Sequence, residues 1–552
     1  MAQPAQQENT ASGGEFDYII VGGGTAGSLL ANRLSRDPAT RVLVLEAGGK
    51  DDWIWFHIPI GYLFAIGNPR SDWCFSTEPV PGLNGRSIGY ARGKVIGGCT
   101  AINAMVYMRG QSSDYDAWRQ AGLPGWGWSD VLPVFKSHED HFRGASEMHG
   151  AGGEWRVEQP RVRWDILDAV GRAGEQIGIP PTDDFNTGSN EGSGYFHVNQ
   201  SRGRRWSAAT GFLKPVLSRP NLDLRLNVHV RRVLLEAGPQ GRPRAAGIEY
   251  EQAGQVFTVR ARGEVLLASG AIASPQLLQL SGIGPGALLR EHGIDVVHEL
   301  PGVGENLQDH LQLRLIYRVQ GVKTINEIDR SLLAKARIGL EYLLFRTGAL
   351  TMPPSQFGMF TRSSPDYDMP NVEFHIQPLS LDRFGSPLHD FPAFTASICN
   401  LRPTSRGHVR IKSPEPRHAP AIQPNYLDTA EDRRVAVDSI RLTRRLAAAP
   451  ALAPYRPEEY LPGKGIESET DMLRAAGDIG ATIFHPVGTA KMGADHDPLA
   501  VLDARLRVRG IDGLRVIDAS AMPLITSGNT ASPTLVIAEK GAAMVLEDAK
   551  AG

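Results

Sequence analysis

The stretch FDYIIVGGGTAGSLLANRLSRDPATRVLVLEAGG, Phe16 to Gly49, decides the fold. An apolar run, Tyr18 to Val21, meets a glycine turn, then a helical pattern, then a second apolar run ending at Glu46. This is a strand, turn, helix and strand. Gly22, Gly24 and Gly27 occupy the positions of a G-x-G-x-x-G turn: the first makes the bend, the second admits a pyrophosphate, and the third lets helix pack on strand. The helix N-terminus then offers free N–H groups and its positive end to phosphate. Ala26, Leu29, Leu30 and Leu34 recur at helical spacing and form the face buried on the sheet. Glu46 lies about 20 residues beyond the last glycine, where a carboxylate accepts ribose hydroxyls and disfavours a 2′-phosphate. This unit implies a dinucleotide site without choosing between NAD and FAD.

The remaining composition bounds the function. A chain of 552 residues exceeds what one core serves, so two domains and room for a large cofactor are expected. Lys plus Arg (58) and Asp plus Glu (60) nearly cancel, which gives no field for nucleic acid and leaves small ligands. Cys74, Cys99 and Cys399 form neither a disulfide framework nor a C-x-x-C pair, so a reducing cytoplasm is the default. Residues 1–14 read as a flexible leader, without the basic and apolar regions of a secretion signal. No window suits a spanning helix, and membrane association is at most peripheral. The oligomeric state is left open.

Four later stretches carry chemistry. ARGKVIGGCTAINAM, Ala91 to Met105, places Gly97 and Gly98 before small residues that can lie against a planar ring or a phosphate. GEVLLASGAIASPQLLQLSGIG, Gly263 to Gly284, begins as a buried strand; Ser274 with Pro275 then reads as a helix start. GLRVIDASAMPLITSGNTASPTLVIAEKGA, Gly513 to Ala542, ends a strand at Asp518, where Asp518 and Ala519 face cofactor oxygens. FHPVGTAKMG, Phe484 to Gly493, holds His485 before Pro486 and within reach of a pocket shared with Asn529.

Together with PGVGENLQDH, Pro301 to His310, these motifs resemble the glucose–methanol–choline oxidoreductase family over nearly the whole chain after Asp17. The resemblance implies an α/β protein with a Rossmann-like FAD-binding domain and a second, substrate-binding domain on an antiparallel sheet. The FAD domain is expected in three pieces, 15–158, 215–312 and 479–548, with 159–214 and 313–478 forming the substrate part. It implies that Gly22, Gly24, Thr25, Ala26, Gly27, Glu46 and Ala47 hold the cofactor with Arg92, Gly97, Gly98, Asn103 and Ala104. Val230, Asp518, Ala519 and Thr530 complete that set. His485 takes the position of the catalytic base and Asn529 that of the residue holding the substrate oxygen. Some choline-oxidising relatives carry a flavin-linked histidine where this chain has Ile102, so unlinked FAD is expected. The photodecarboxylase branch replaces the histidine and uses a cysteine and an arginine where Ser355 and His375 stand here, which disfavours that activity.

The implied reaction is oxidation of a small-molecule alcohol to an aldehyde or ketone, with hydride passing to the flavin. Neutral imidazole suits removal of the hydroxyl proton near neutral pH, and Asn529 would donate to the developing alkoxide. Either oxygen or a quinone or dye fits as the electron acceptor. A lyase of the hydroxynitrile type and a nicotinamide-linked dehydrogenase are the competing readings.

Ser355, His375 and Met352 are expected to line the substrate chamber, and Met352, Phe357, Met359 and Phe360 to make it apolar. His138 and His141 are expected on one helix face near Glu139, Asp140 and His149, at a polar helix end that is not a metal site. No metal is expected elsewhere.

Overall fold

The computed structural model describes residues 11–238, 241–329, 332–382 and 386–551. Residues 1–10 of the expected leader lie outside these, and residues 11–14 belong to the first strand, Ala11–Val21. Ala11 and Ser12 pair with Phe257 and Thr258, so backbone hydrogen bonding extends this strand outward from the apolar run.

The first sheet has seven strands. Leu222–Leu226, Val42–Glu46, Ala11–Val21 and Gln255–Leu267 run parallel, with Leu514–Val516 beside the end of the last. The residues of Val42–Glu46 are all buried, as expected of a parallel strand covered on both faces. Gln255–Leu267 is long enough to serve twice. Its first half turns back antiparallel on Pro243–Gln252, which pairs with Val228–Ala237.

The helix Thr25–Leu34 packs on this sheet against the C-terminal helix Ala531–Ala551. Gly27 is required here: a Cβ would stand 1.8 Å from the Gly22 carbonyl oxygen. The helix after Gln255–Leu267 starts at Gly270, earlier than Ser274 and Pro275 suggested, and runs to Leu280. An interior proline removes the N–H that would bond the carbonyl of Ala271. The Thr489 hydroxyl replaces it, donating to that carbonyl at 2.6 Å. Ser274, freed from capping, donates to Asp518 instead.

The second sheet also has seven strands, entirely antiparallel. Its centre is Leu311–Arg318, Ala393–Asn400, Val372–Gln377 and Phe357–Thr361. Leu311 and Gln312 already belong to it, and Gly480–Thr482 pairs with Leu311–Leu313, so both boundaries drawn near 312 and 479 move by a few residues. One face is apolar, with Phe374, Ile376, Ile398 and Leu313 in a core with the helices. The other face is polar: Glu373, His375 and Gln377 alternate with those apolar residues, and His375 and Gln377 line the space toward the first sheet.

Candidate active site

One continuous cavity runs between the two sheets from the dinucleotide turn to His485. Its walls begin at Gly22, Gly24, Thr25, Ala26, Glu46 and Ala47, continue past Arg92, Gly98, Asn103, Ala104 and Val230, and reach Asp518, Ala519 and Thr530. His485, Asn529, Ser355 and His375 line its other end. Gly27 and Gly97 serve from behind. Gly97 N–H donates to the Gly23 carbonyl at 2.8 Å and docks the second glycine motif on the first turn. Gly98, at φ +52°, abuts Gly24 so closely that a Cβ would lie 2.8 Å from the Gly24 Cα. Two bare backbones therefore form one edge of the channel.

The carboxylates are already engaged. Glu46 accepts from Gly23 N–H at 2.8 Å through Oε2 and from Gly48 N–H at 2.7 Å through Oε1. Burial pushes its carboxyl up to about 7 against these two donors and Lys94. Each oxygen retains a lone pair for a ribose hydroxyl. Asp518 accepts from Gly270 N–H at 2.8 Å and Ser274 Oγ at 2.6 Å with one oxygen, and from Ser520 with the other. It ties the ends of two strands together while lining the cavity beside Ala519.

Three sequence expectations are corrected. Met352 is wholly buried in the second core and does not line the cavity. Phe357 and Met359 join that same core, and Phe360 packs with Phe185 and Phe196, because these strand positions face away from the cofactor side or are covered. The chamber wall is instead Gln312, Gln377, Ser355 and His375 opposite Ile102, Met105 and Val106. His138 and His141 share no helix face: the helix ends at His138 and His141 lies in the strand Glu139–His141. His141 stacks on His149 at 3.8 Å, while His149 bonds Glu139 and Asp184 and Arg109 pairs with Glu139 at 2.8 Å. The cluster is a buried polar network.

The geometry around His485 was only partly legible. Gly480–Thr482 pairs with Leu311–Leu313, and Gln308 and Val487 bond reciprocally, which zips the loop before the first strand to the loop after the second. His310 thereby meets His485: the two Nδ1 atoms are 3.1 Å apart. His310 Nε2 is 3.1 Å from the Leu401 carbonyl, which can only accept, so Nε2 carries the His310 proton. Burial lowers the His310 pKa, and neutral His310 presents Nδ1 as acceptor. His485 then donates from its own Nδ1. Its Nε2 is left basic and accepts from Asn529 Nδ2 at 3.0 Å.

Asp309 supports both rings. Its Oδ1 accepts the backbone N–H of His310 at 2.9 Å and of His485 at 2.8 Å. Its Oδ2 accepts from Tyr90 at 2.8 Å, Thr482 at 2.6 Å and Tyr426. Phe484 is left-handed at φ +69°, and Arg92 Nη2 donates to its carbonyl at 2.5 Å. Pro486 restricts His485 to extended backbone. Burial, then His310, His375 and Arg92, hold the His485 pKa well below the ordinary imidazole value. The group is a neutral base with a fixed tautomer. His310 and Asp309 were missed as site residues, although LQDH directly precedes an alternating strand. Trp73 and His229 also line the far end of the cavity and carry no motif that marks them.

A two-sheet protein with a dinucleotide turn at one end of its cavity and a buried neutral base at the other is an oxidoreductase of the flavin type. The GMC oxidoreductase family models match residues 16–312 and 403–538. The chain belongs to that family. It is 41% identical over 535 residues to the alcohol dehydrogenase [acceptor] of Pseudomonas putida, covering 96% of each chain. It is 40% identical over 534 residues to the oxygen-dependent choline dehydrogenase of Brucella melitensis, again covering 96% of each. Pyridoxine 4-oxidase from Mesorbium loti superposes with a TM-score of 0.85 at 34% identity, covering 96% of this chain and 98% of that one. The chain is an FAD-dependent enzyme that oxidises CH–OH groups.

Proposed function

We propose that the enzyme oxidises neutral alcohols, with His485 as the base and Asn529 as the donor to the substrate oxygen, on FAD that is held without a covalent bond. The observation that carries this reading is the hydrogen-bonded series from Leu401 through His310 and His485 to Asn529, which leaves a basic nitrogen at the cavity surface.

The residues present fit FAD. The backbone edge of Gly24 and Gly98, the helix N-terminus at Thr25 and the Glu46 carboxylate would hold its dinucleotide part. Bound FAD supplies a hydride acceptor. The substrate hydroxyl would displace the Asn529 N–H from His485 Nε2, whose single lone pair then takes the hydroxyl proton, because a neutral alcohol gives up hydride poorly until that proton is withdrawn. A placed general base is worth about 10²–10⁴-fold. Asn529 has a second N–H beyond the one directed at His485, and it holds the oxygen as charge develops there. Ile102, an aliphatic residue, lines the cavity where an attachment histidine was considered, which supports unlinked flavin.

The choice of neutral alcohol rests on the chamber. The acidic residues lining the cavity are Glu46 and Asp518, both at the cofactor end. Around His485, among the described residues, the cavity lining offers amides, a hydroxyl and imidazole, while Glu373, paired with His375 at 3.0 Å, is buried outside the lining. His485→Ala tests the mechanism: it should remain yellow while anaerobic flavin reduction by alcohol slows by about 10²–10⁴-fold. A nearly wild-type rate overturns the assignment. A panel of benzyl alcohol, aliphatic alcohols and choline tests the substrate class, with choline expected last in kcat/KM. Acid precipitation should release the flavin into the supernatant.

A further inference from the structure

The helix Leu332–Phe345 carries its apolar residues outward. Leu333 is 83% exposed, Leu340 56%, Leu343 68%, Leu344 61% and Phe345 67%. Leu333, Leu340 and Leu344 fall on one stripe by helical spacing. The opposite face is the anchored one: Ile338 packs on the second core and buried Tyr342 donates to the Gly203 carbonyl at 3.1 Å. A second apolar ridge stands near it. Ile54 is 60% exposed, Phe64 is 46% exposed, and Trp55 stacks on Phe64 at 4.1 Å. The turns Pro59–Gly61 and Ala349–Thr351 pack together and join the two ridges.

The rim is basic. Arg337 is exposed on the helix itself, Arg202 and Arg204 flank the Gly203 contact, and exposed Arg161 donates to the Arg346 carbonyl at 3.0 Å. Among the described residues, none of Arg161, Arg202, Arg204 and Arg337 is in an ion pair. The helix has one carboxylate, Glu341, and it accepts from the Thr347 hydroxyl. Asp51 and Asp52, beside the second ridge, are paired with Lys214 and Arg70.

Exposed apolar ridges rimmed by unpaired cations match the two components of an interfacial membrane contact, acyl boundary and anionic headgroup. We propose that this face docks the enzyme peripherally on an anionic lipid bilayer, the Leu332–Phe345 helix lying in the plane of the interface. A second copy fits the face less well, since a two-fold contact would bring the arginine rims together. Among the described residues, no helix is long and apolar enough to cross a membrane, and docking needs none. Both ridges lead into the cavity wall: Ile66 follows Phe64 and lines it, as do Pro354 and Ser355 beyond Phe345. The docked face would thus lie near the cavity.

Sedimentation of the holoenzyme with sucrose-loaded vesicles of phosphatidylcholine and phosphatidylglycerol tests this without turnover, so the result is independent of the substrate assignment. Binding is expected on anionic vesicles, with at least about a tenfold loss on pure phosphatidylcholine or when salt shortens the screening length from about 10 Å to about 3 Å. Leu340→Glu/Leu344→Glu should lose at least about tenfold, and Arg204→Glu/Arg337→Glu should lose the anionic preference. The flavin spectrum and the rate with a soluble alcohol and dye should be unchanged in both. No binding by the wild type, or equal binding by the leucine double variant, overturns the proposal. So does a sedimentation-equilibrium dimer that the leucine double variant dissolves.

Discussion

His310 Nδ1 and His485 Nδ1 lie 3.1 Å apart, and only one of them can hold the proton between them. The Leu401 carbonyl fixes His310 as acceptor, so His310 sets which nitrogen of His485 is basic. Replacing His310 with Leu removes the acceptor and leaves the His485 tautomer free. The anaerobic rate of flavin reduction should fall by about 10- to 100-fold, part of the worth of the placed base. KM and flavin content should stay close to wild type. His310→Asn, whose amide oxygen can accept, should recover part of the loss; equal loss in both variants would show that the ring only fills space.

The contrast between His485 and His310 shows what the sequence contains. Glycine spacing, apolar alternation and the acid at Glu46 are local patterns, so the dinucleotide unit and the antiparallel strands could be read directly. His485 and Asn529 stood in recognisable loops. His310 acquires its role only when Gly480–Thr482 pairs with Leu311–Leu313, a contact between segments far apart in the chain. Met352, Phe357 and Met359 failed for a related reason: apolar composition indicates burial but not which side of a sheet is buried. Ser274 and Pro275 misplaced a helix start because Thr489, distant in sequence, satisfies the carbonyl that proline leaves open.

Asn529 donates to His485 and keeps a second N–H for substrate. Asn529→Asp replaces a donor with a carboxylate beside a developing alkoxide. The reductive rate constant should fall by about 10²–10³-fold, the range seen when one oxyanion donor is removed. Stopped-flow reduction measures this directly. An unaffected rate would remove Asn529 from the mechanism.

Because burial, with His310, His375 and Arg92 nearby, holds His485 well below its ordinary value, kcat/KM should be flat through neutral pH. It should fall only in acid, as pH drops through the lowered pKa and the base becomes protonated. Arg92→Gln retains an N–H near the Phe484 carbonyl and removes the cation that disfavours imidazolium. The acid limb should therefore move to higher pH in this variant. A limb that stays in place, or moves to lower pH, would exclude Arg92 from tuning the base.

Glu46 makes the cofactor site itself pH-dependent. Its folded pKa of about 7 stands above the ordinary carboxyl value because burial penalises the charge. In the apoprotein the protonated form is therefore favoured by folding. Its contribution to stability is complete below the unfolded pKa and is lost as pH rises through about 7. Ribose hydroxyls act in the opposite sense, since they donate to the carboxylate and favour its ionised form. FAD affinity should accordingly increase as pH rises through that window, read as retention of flavin during dialysis at fixed ionic strength. Glu46→Gln cannot ionise, so it should abolish both slopes and weaken FAD binding by about tenfold or more, the worth of one or two hydrogen bonds to a charged acceptor. Retention that still rises with pH in the glutamine variant would assign the dependence to another group.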